Sequence, residues 1–262
     1  MTSAQHLRLG VIVPSSNVTM ETELPALLGR RAGPETFSLH ASRARLKHVT
    51  PDQLRAMNGD MQRCAVELAD ARCDAVATAC LVALMAQGDG FHREAERAIA
   101  DAPRAEGAAA PVVSSAGALI AALEALGARR IAVITPYVAT LTRVVCDYVE
   151  AAGVEVHDAL SLEVPDNLAV AALDPSALEH HWRRLDTAGC DALVLSACVQ
   201  MPSLAAIAPV ERACGLPVLS AATATAFCLL RALDLESRIP DAGHLLSGAV
   251  DRRASHAAAP GH

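Results

Sequence analysis

The chain has 262 residues, enough for one large domain or two smaller lobes with sizeable cores. Hydrophobic residues make up 52% of it. Even so, no apolar run reaches the ~20 residues of a membrane helix and residues 1–8 show no signal-peptide core, so a soluble, cytoplasmic chain with no membrane partner is expected. A formal charge of −7 without a basic cluster, and aromatics at only 2%, argue against nucleic acid as a partner.

Leu7–Val13 (LRLGVIV) reads as a buried strand that breaks at Pro14-Ser15-Ser16-Asn17. Asn17 or Thr19 then caps a helix reaching Leu28, with Glu21 and Glu23 in its first turn, where the helix dipole favours acids. Thr36–Ser42 is the second strand. Thr50-Pro51-Asp52 opens a helix to about Arg72, with Leu54, Met57, Met61, Ala65 and Leu68 at helical spacing. Asp74–Thr78 is a strand that leads into Cys80. A helix over Phe91–Ala100, a small polar loop over Asp101–Ala110, a short strand at Pro111–Val113 and a helix over Ser115–Leu126 follow, stopped by Gly127. The pattern then restarts. Arg130–Thr135 is a strand breaking at Pro136-Tyr137, Ala139–Ala152 a helix, Val154–Leu160 a strand and Val164–Asn167 a loop. Asp174-Pro175-Ser176 opens a helix through Ala188, and Asp191–Leu195 is the strand before Cys198. Ser203–Cys214 is a helix, Leu216–Leu219 a strand and Thr223–Leu233 the last helix. Residues Gly243–His262 are expected to fray.

Short apolar strands alternating with helices of ten or more residues predict βαβ units on parallel sheets. The restart is an internal duplication. GVIVP (Gly10–Pro14) matches AVITP (Ala132–Pro136), Cys73–Cys80 matches Cys190–Cys198 with one extra residue, and APVVS (Ala110–Ser114) matches LPVLS (Leu216–Ser220). The expected fold is α/β, with two similar lobes related by a pseudo-two-fold axis, each a parallel sheet flanked by helices. The lobes span residues 1–127 and 128–250, the last helix being free to cross back, and 251–262 form a disordered tail.

Eight cysteines in a chain that is neither small nor visibly secreted do not suggest a disulfide framework, and their spacings fit no zinc pattern. Ligands of parallel sheets bind at the carboxyl ends of strands. Four such ends carry polar or reactive groups: Pro14–Asn17, Cys80, Pro136-Tyr137 and Cys198. If the lobes face one another these ends converge, and two thiols flank one cleft. A lone cysteine is ordinarily a small core filler, but a duplicated one at a strand end reads as a nucleophile, a base or a proton donor. Asn17 and Asn167 read either as turn formers or as neutral donors to a carboxylate, and Tyr137 as a core aromatic or a cleft-facing phenol. Ser15, Ser16, Thr78 and Ser196 add hydroxyls at the strand ends. Arg43, Arg45 and Lys47 read as a solvated edge. Neither a glycine-rich phosphate loop nor a metal-ligand spacing is present, so no cofactor and no metal are expected.

At GVIVPSSNVTMETELP (Gly10–Pro25), ATACLVALM (Ala77–Met85), ITPY (Ile134–Tyr137), VPDN (Val164–Asn167) and LSACVQMPSL (Leu195–Leu204), the chain resembles the bacterial maleate cis–trans isomerases of the aspartate/glutamate racemase superfamily. The resemblance covers roughly residues 7–250. It implies a cofactor-free enzyme that turns maleate into fumarate through a succinyl-cysteine intermediate. Carried onto this chain, Cys80 is the nucleophile and Cys198 the proton donor. Asn17, Tyr137 and Asn167 would hold carboxylates, with Leu81, Val82, Val199 and Gln200 beside the thiols. A homodimer is the expectation for a soluble enzyme of this kind, and accessible, readily oxidised thiols follow from the chemistry. Two other readings stay open. An amino-acid racemase also uses two thiols, but Leu81-Val82-Ala83 after Cys80 supplies no partner for an ammonium. A non-catalytic dicarboxylate-binding protein would have no reason to mirror two strand-end thiols. Arylmalonate-decarboxylase-like enzymes keep only the second cysteine; both are present here.

Overall fold

A computed structural model describes residues 5–104 and 109–251. Its two four-stranded sheets are parallel throughout and share one topology. The first has the order β2-β1-β3-β4, built from β1 (His6–Pro14), β2 (Thr36–Ala44), β3 (Ala75–Thr78) and β4 (Val112–Ser114). The second repeats it as β6-β5-β7-β8, from β5 (Arg130–Thr135), β6 (Glu155–Ser161), β7 (Ala192–Ser196) and β8 (Val218–Ser220). The central strands β3 and β7 are buried along their whole length, as strands covered by helices on both faces must be. The outer strands β2 and β6 are half-buried and carry His, Ser and charged residues.

The helices supply the cover. They are α1 (Met20–Leu28), α2 (Pro51–Asp70), α3 (Leu81–Met85), α4 (Phe91–Arg104), α5 (Ser115–Leu126), α6 (Ala139–Ala151), α7 (Asn167–Ala171), α8 (Leu178–His181), α9 (Leu204–Cys214) and α10 (Ala221–Ala232). Ser114 and Ser220 cap α5 and α10 by accepting the amides of Gly117 and Thr223. Gly127 closes α5 in the left-handed conformation that glycine takes without strain. The last helix, α10, packs on α5 and α1 and also touches β3 and β4, so the C-terminal part of the chain returns to the first sheet. The buried side chains of both halves form one continuous core.

The duplication is visible atom by atom. Ala79 donates its amide to Ile12 at the end of β1 (2.8 Å), and Ala197 does the same to Ile134 at the end of β5 (3.0 Å). Asp74 and Asp191 each accept amides from the start of the neighbouring strand, from Arg8 in one lobe and from Arg129 and Arg130 in the other. The extra residue between Cys190 and Cys198 is taken up where β7 pairs with β8: the register shifts between Val194 and Ser196. A bulge of this kind absorbs one residue and leaves the strand end where it was.

Four expectations need correction. The helix from Asp174 to Ala188 is broken into a 3-10 turn at Pro175–Ala177, α8, and a second 3-10 turn at Trp182–Arg184. The backbone beyond is diverted by carboxylates: Asp158 takes the amide of Asp186, and Asp186 that of Ala188. The loop read from Asp101 is still helical to Arg104. The loop ending at Asn167 opens a helix, α7, capped by Asp166. Residues 243–251 do not fray, because Leu245, Leu246 and Val250 are buried and the Ile239 amide bonds Leu246. The tail expected over 251–262 lies, from residue 252 on, outside the described residues.

Candidate active site

Each cysteine sits two residues past a buried strand. Cys80 follows Thr78-Ala79 and is the residue before α3, with non-helical backbone (φ −146°, ψ 86°). All five residues of α3 are buried, and its Ala83 carbonyl accepts the side-chain amides of Asn58 (3.0 Å) and Gln87 (3.2 Å). Cys198 follows Ser196-Ala197, but no helix begins until Leu204. Its turn is closed by Ser196, whose hydroxyl donates to the Cys198 carbonyl (2.9 Å), and the Gln200 amide lies 3.3 Å from the Cys198 sulfur.

The two thiols and Tyr137 belong to one electrostatic cluster. All three are buried, at 6%, 4% and 7% exposure. Burial pushes the Cys80 thiol up to about 12, and the neighbouring Cys198 adds to the rise while the Ala83 amide opposes it. Burial likewise raises Cys198, against the Tyr137 hydroxyl and the amides of Gln200 and Met201, which all favour its thiolate. Tyr137 is held well above the ordinary phenol range by burial, then by Cys198 and Cys80. The expectation of accessible thiols is therefore corrected. Burial disfavours the thiolate at both, and Cys198 has the richer set of donors.

Around them the strand-end loops are tied together across the lobes. Asn17 is 1% exposed; its side-chain oxygen accepts the amides of Thr19 (3.2 Å) and Met20 (3.0 Å), and its nitrogen points at the Val199 carbonyl (3.4 Å). Asn17 is thus the side chain that tops α1, while Thr19 sends its hydroxyl to the Gln200 carbonyl (2.7 Å). Gln200 spends its side chain entirely on loops: Nε2 donates to the carbonyls of Ser16 (2.9 Å) and Asn167 (3.0 Å), and Oε1 accepts the Val18 amide (3.1 Å). Only its backbone amide faces a thiol. Asn167, half-buried, donates to the Ser16 hydroxyl (2.7 Å). Leu81, Val82 and Val199 are buried beside the cysteines. A cavity of about 100 Å³ reaches Tyr137 and Asn167 between Val49, Val138, Leu141 and Val164.

Three residues have partners that their sequence positions did not reveal. Arg43, read as solvated edge, pairs with Glu21 and donates to the carbonyls of Ser15 and Asn17, bracing the first loop. Glu23, read as a dipole partner of α1, is bound instead to the start of α9. Asn58, on the α2 face toward α3, steadies the Cys80 turn. All are polar residues on amphipathic helices or a strand edge, where periodicity gives them no distinction from solvent-facing neighbours. All eight cysteines are free thiols. Among the described residues, no cluster of three or more His, Cys, Asp or Glu side chains is arranged to hold a metal, and no helix is long and apolar enough to cross a membrane.

A family model described as arylmalonate decarboxylase matches residues 9–246. The chain is also 53% identical, over 94% of its length and 99% of its relative's, to a maleate isomerase of Geobacillus stearothermophilus. The chain belongs to the maleate isomerase family. Its backbone is similar to that of the maleate isomerase of Pseudomonas putida S16, solved with maleate in a cysteine-to-alanine form (TM-score 0.92, 52% identity, 94% of this chain and 99% of that one). It is similar too to a cysteine-to-serine form of the Nocardia farcinica maleate cis–trans isomerase that carries a covalently bound succinylcysteine intermediate (TM-score 0.90, 47% identity, 92% and 98%). An arylmalonate decarboxylase structure at 23% identity and TM-score 0.79 shares the fold. Membership of the maleate isomerase family is what the five sequence motifs implied, and the two-lobed α/β architecture is the one that family shows.

Proposed function

We propose that this chain isomerises maleate to fumarate without a cofactor, through a succinyl-cysteine on Cys80. Cys80 first gives up its proton to solvent and adds as thiolate to one alkene carbon; the C–S bond forms as the π bond breaks, and Cys198 delivers its own proton to the other carbon. The former double bond is now single and rotates. Cys198, now a thiolate, withdraws the proton, the π bond re-forms in the trans geometry, and Cys80 leaves as a thiolate that solvent reprotonates. Nothing is consumed, so the cycle needs no co-reactant.

Addition drives negative charge onto the carboxylate beside the protonated carbon. Asn17, Tyr137 and Asn167, with the amides of Leu81, Val82, Val199 and Gln200, are neutral donors at the strand ends, suited to holding that charge where it develops. Their low-dielectric surroundings strengthen each contact. The observation that carries this reading is the convergence of two buried thiols and one phenol from different strand ends in a single cluster. The racemase reading is weaker, because the residues after Cys80 are buried and apolar and leave an ammonium without a partner.

On this reading the catalytic lobes are residues 1–127 and 128–250, the partner is a small dicarboxylate rather than nucleic acid or membrane, and the enzyme works in the cytoplasm as a homodimer. The formal charge of −7 argues against nucleic acid as the partner. Proton NMR of freshly reduced protein with maleate and no added cofactor tests the reaction: the maleate signal should give way to fumarate. No turnover under those conditions overturns the proposal. Light scattering tests the dimer separately.

A further inference from the structure

Glu23 lies in the first turn of α1, yet its carboxylate leaves its own helix and crosses to the second lobe. Its Oε1 accepts the backbone amides of both Ser203 and Leu204 at 2.6 Å, and its Oε2 lies 3.4 Å from the Ser203 hydroxyl. These amides open α9 and have no partner within the helix. Ser203, although in the capping position, makes no side-chain cap of its own. A carboxylate from the other lobe therefore does the capping.

The turn so anchored is the one that carries Cys198. It leaves β7 at Ser196 and has no regular structure until Leu204. In between, Gln200 presents its amide to the Cys198 sulfur at 3.3 Å, and Thr19, four residues before Glu23, holds the Gln200 carbonyl at 2.7 Å. The strand fixes one end of the turn and Glu23 the other. We propose that Glu23 is a positioning residue for Cys198: from the first lobe it fixes the far end of the turn that holds this thiol and its amide donors in place. The proposal rests on the reading of Cys198 as the proton donor.

The geometry separates shape from charge. Both amides go to a single oxygen, so glutamine at this position keeps both through its carbonyl and turns its amino group toward the Ser203 hydroxyl. Alanine keeps neither, and aspartate is one methylene too short to reach. The full-length, reduced variants Glu23→Ala, Glu23→Asp and Glu23→Gln are to be compared with the parent for kcat and KM on maleate across neutral and alkaline pH. Iodoacetamide labelling of Cys80 and Cys198 is followed separately by peptide mass spectrometry.

The expected result is a fall in kcat for Glu23→Ala and Glu23→Asp by up to about 100-fold, as small misplacements of a reacting group produce. KM should be little changed, the loss should be the same at every pH, and labelling should be faster at Cys198 but not at Cys80. Glu23→Gln should recover most of the lost kcat. Parental kcat in Glu23→Ala, labelling raised equally at both thiols, or a glutamine variant as impaired as the alanine one would each overturn the proposal. If Glu23→Ala does not fold, the aspartate and glutamine variants decide alone. Failure of the underlying reading is distinct, because it appears as parental turnover in Cys198→Ala with Glu23 intact.

Discussion

Cys80 and Cys198 end equivalent strands, and the amide one residue before each bonds the end of the neighbouring strand in the same way, but the turns that follow are held from different places. The hydrogen bonds that secure the Cys80 turn come from its own lobe: it passes directly into α3, which packs on α2 and also on α6 of the second lobe, and whose Ala83 carbonyl is pinned by Asn58 of α2 and by Gln87. The Cys198 turn is irregular and is held from the other lobe, by Asn17, the Val18 amide, Thr19 and Glu23. A duplicated scaffold has thus placed two thiols alike and supported them unequally. The thiol whose turn is hydrogen-bonded within one lobe suits bond formation to carbon. The thiol held across the boundary, with a phenol and two amides favouring its thiolate, suits giving up and retaking a proton.

The comparison breaks most completely at the sulfurs themselves. Cys80→Ala should show no detectable turnover, since the one thiol left in the cluster, Cys198, is on this reading placed to move the proton at the other carbon. Cys198→Ala should lose about 10²–10⁴-fold in kcat, the range of a positioned proton donor, and should accumulate substrate-derived mass on Cys80 if addition still proceeds. Single-turnover kinetics with intact-protein mass spectrometry distinguishes the two. Near-parental rates in either variant would remove the two-thiol mechanism.

Tyr137 sharpens the asymmetry, because its hydroxyl favours the thiolate of Cys198 directly while influencing Cys80 only through charge. Tyr137→Phe should lower kcat by about 10²–10³-fold, as removal of one donor from a preorganised site does. It should also shift the pH at which Cys198 labels with iodoacetamide upward, and move Cys80 less. Equal shifts at both thiols would mean that the phenol does not discriminate between them.

The succession of strands and helices, the duplication and the cysteine pair could be read from residue patterns alone, because apolar runs, their terminators and their spacing are local. The role of Gln200 could not. It lies in a turn two residues past Cys198 and reads as another group beside the thiol, yet its side chain joins Ser16, Val18 and Asn167, residues up to 184 positions away. Glu23 was obscured differently: its place in a first helical turn already had a sufficient local explanation, so nothing pointed to a second helix in the other lobe. The burial of the thiols was equally unreadable, since it depends on how tightly the two lobes close. The sequence motifs identified which groups meet; long-range hydrogen bonds decide how each is held.

Gln200 supplies a smaller test. Its three side-chain hydrogen bonds close the loops over the site, each stabilising by about 1 kcal/mol. Gln200→Leu should loosen that closure and raise KM for maleate by about tenfold, with a lesser effect on kcat, in steady-state kinetics. An unchanged KM would show that closure does not contribute to binding.

The mildest test leaves activity aside and reads the burial of Cys80 as stability. In the folded chain its thiol is pushed up to about 12 from an ordinary 9.0. Below pH 9 folded and unfolded chains both carry the proton, and the folded state loses nothing. Above it the unfolded chain releases the proton first, so the folded state is disfavoured as pH rises toward 12. One such group contributes at most about 1.4 kcal/mol per pH unit, and the buried Cys146 and half-buried Cys228 add slopes of the same sign. Urea midpoints measured from neutral pH into this window should fall for the parent and fall less steeply for Cys80→Ala. Because the comparison is between slopes, the sulfur lost from the core cancels. Parallel slopes would mean that the Cys80 turn opens to water before the chain unfolds, and that this turn is the looser of the two.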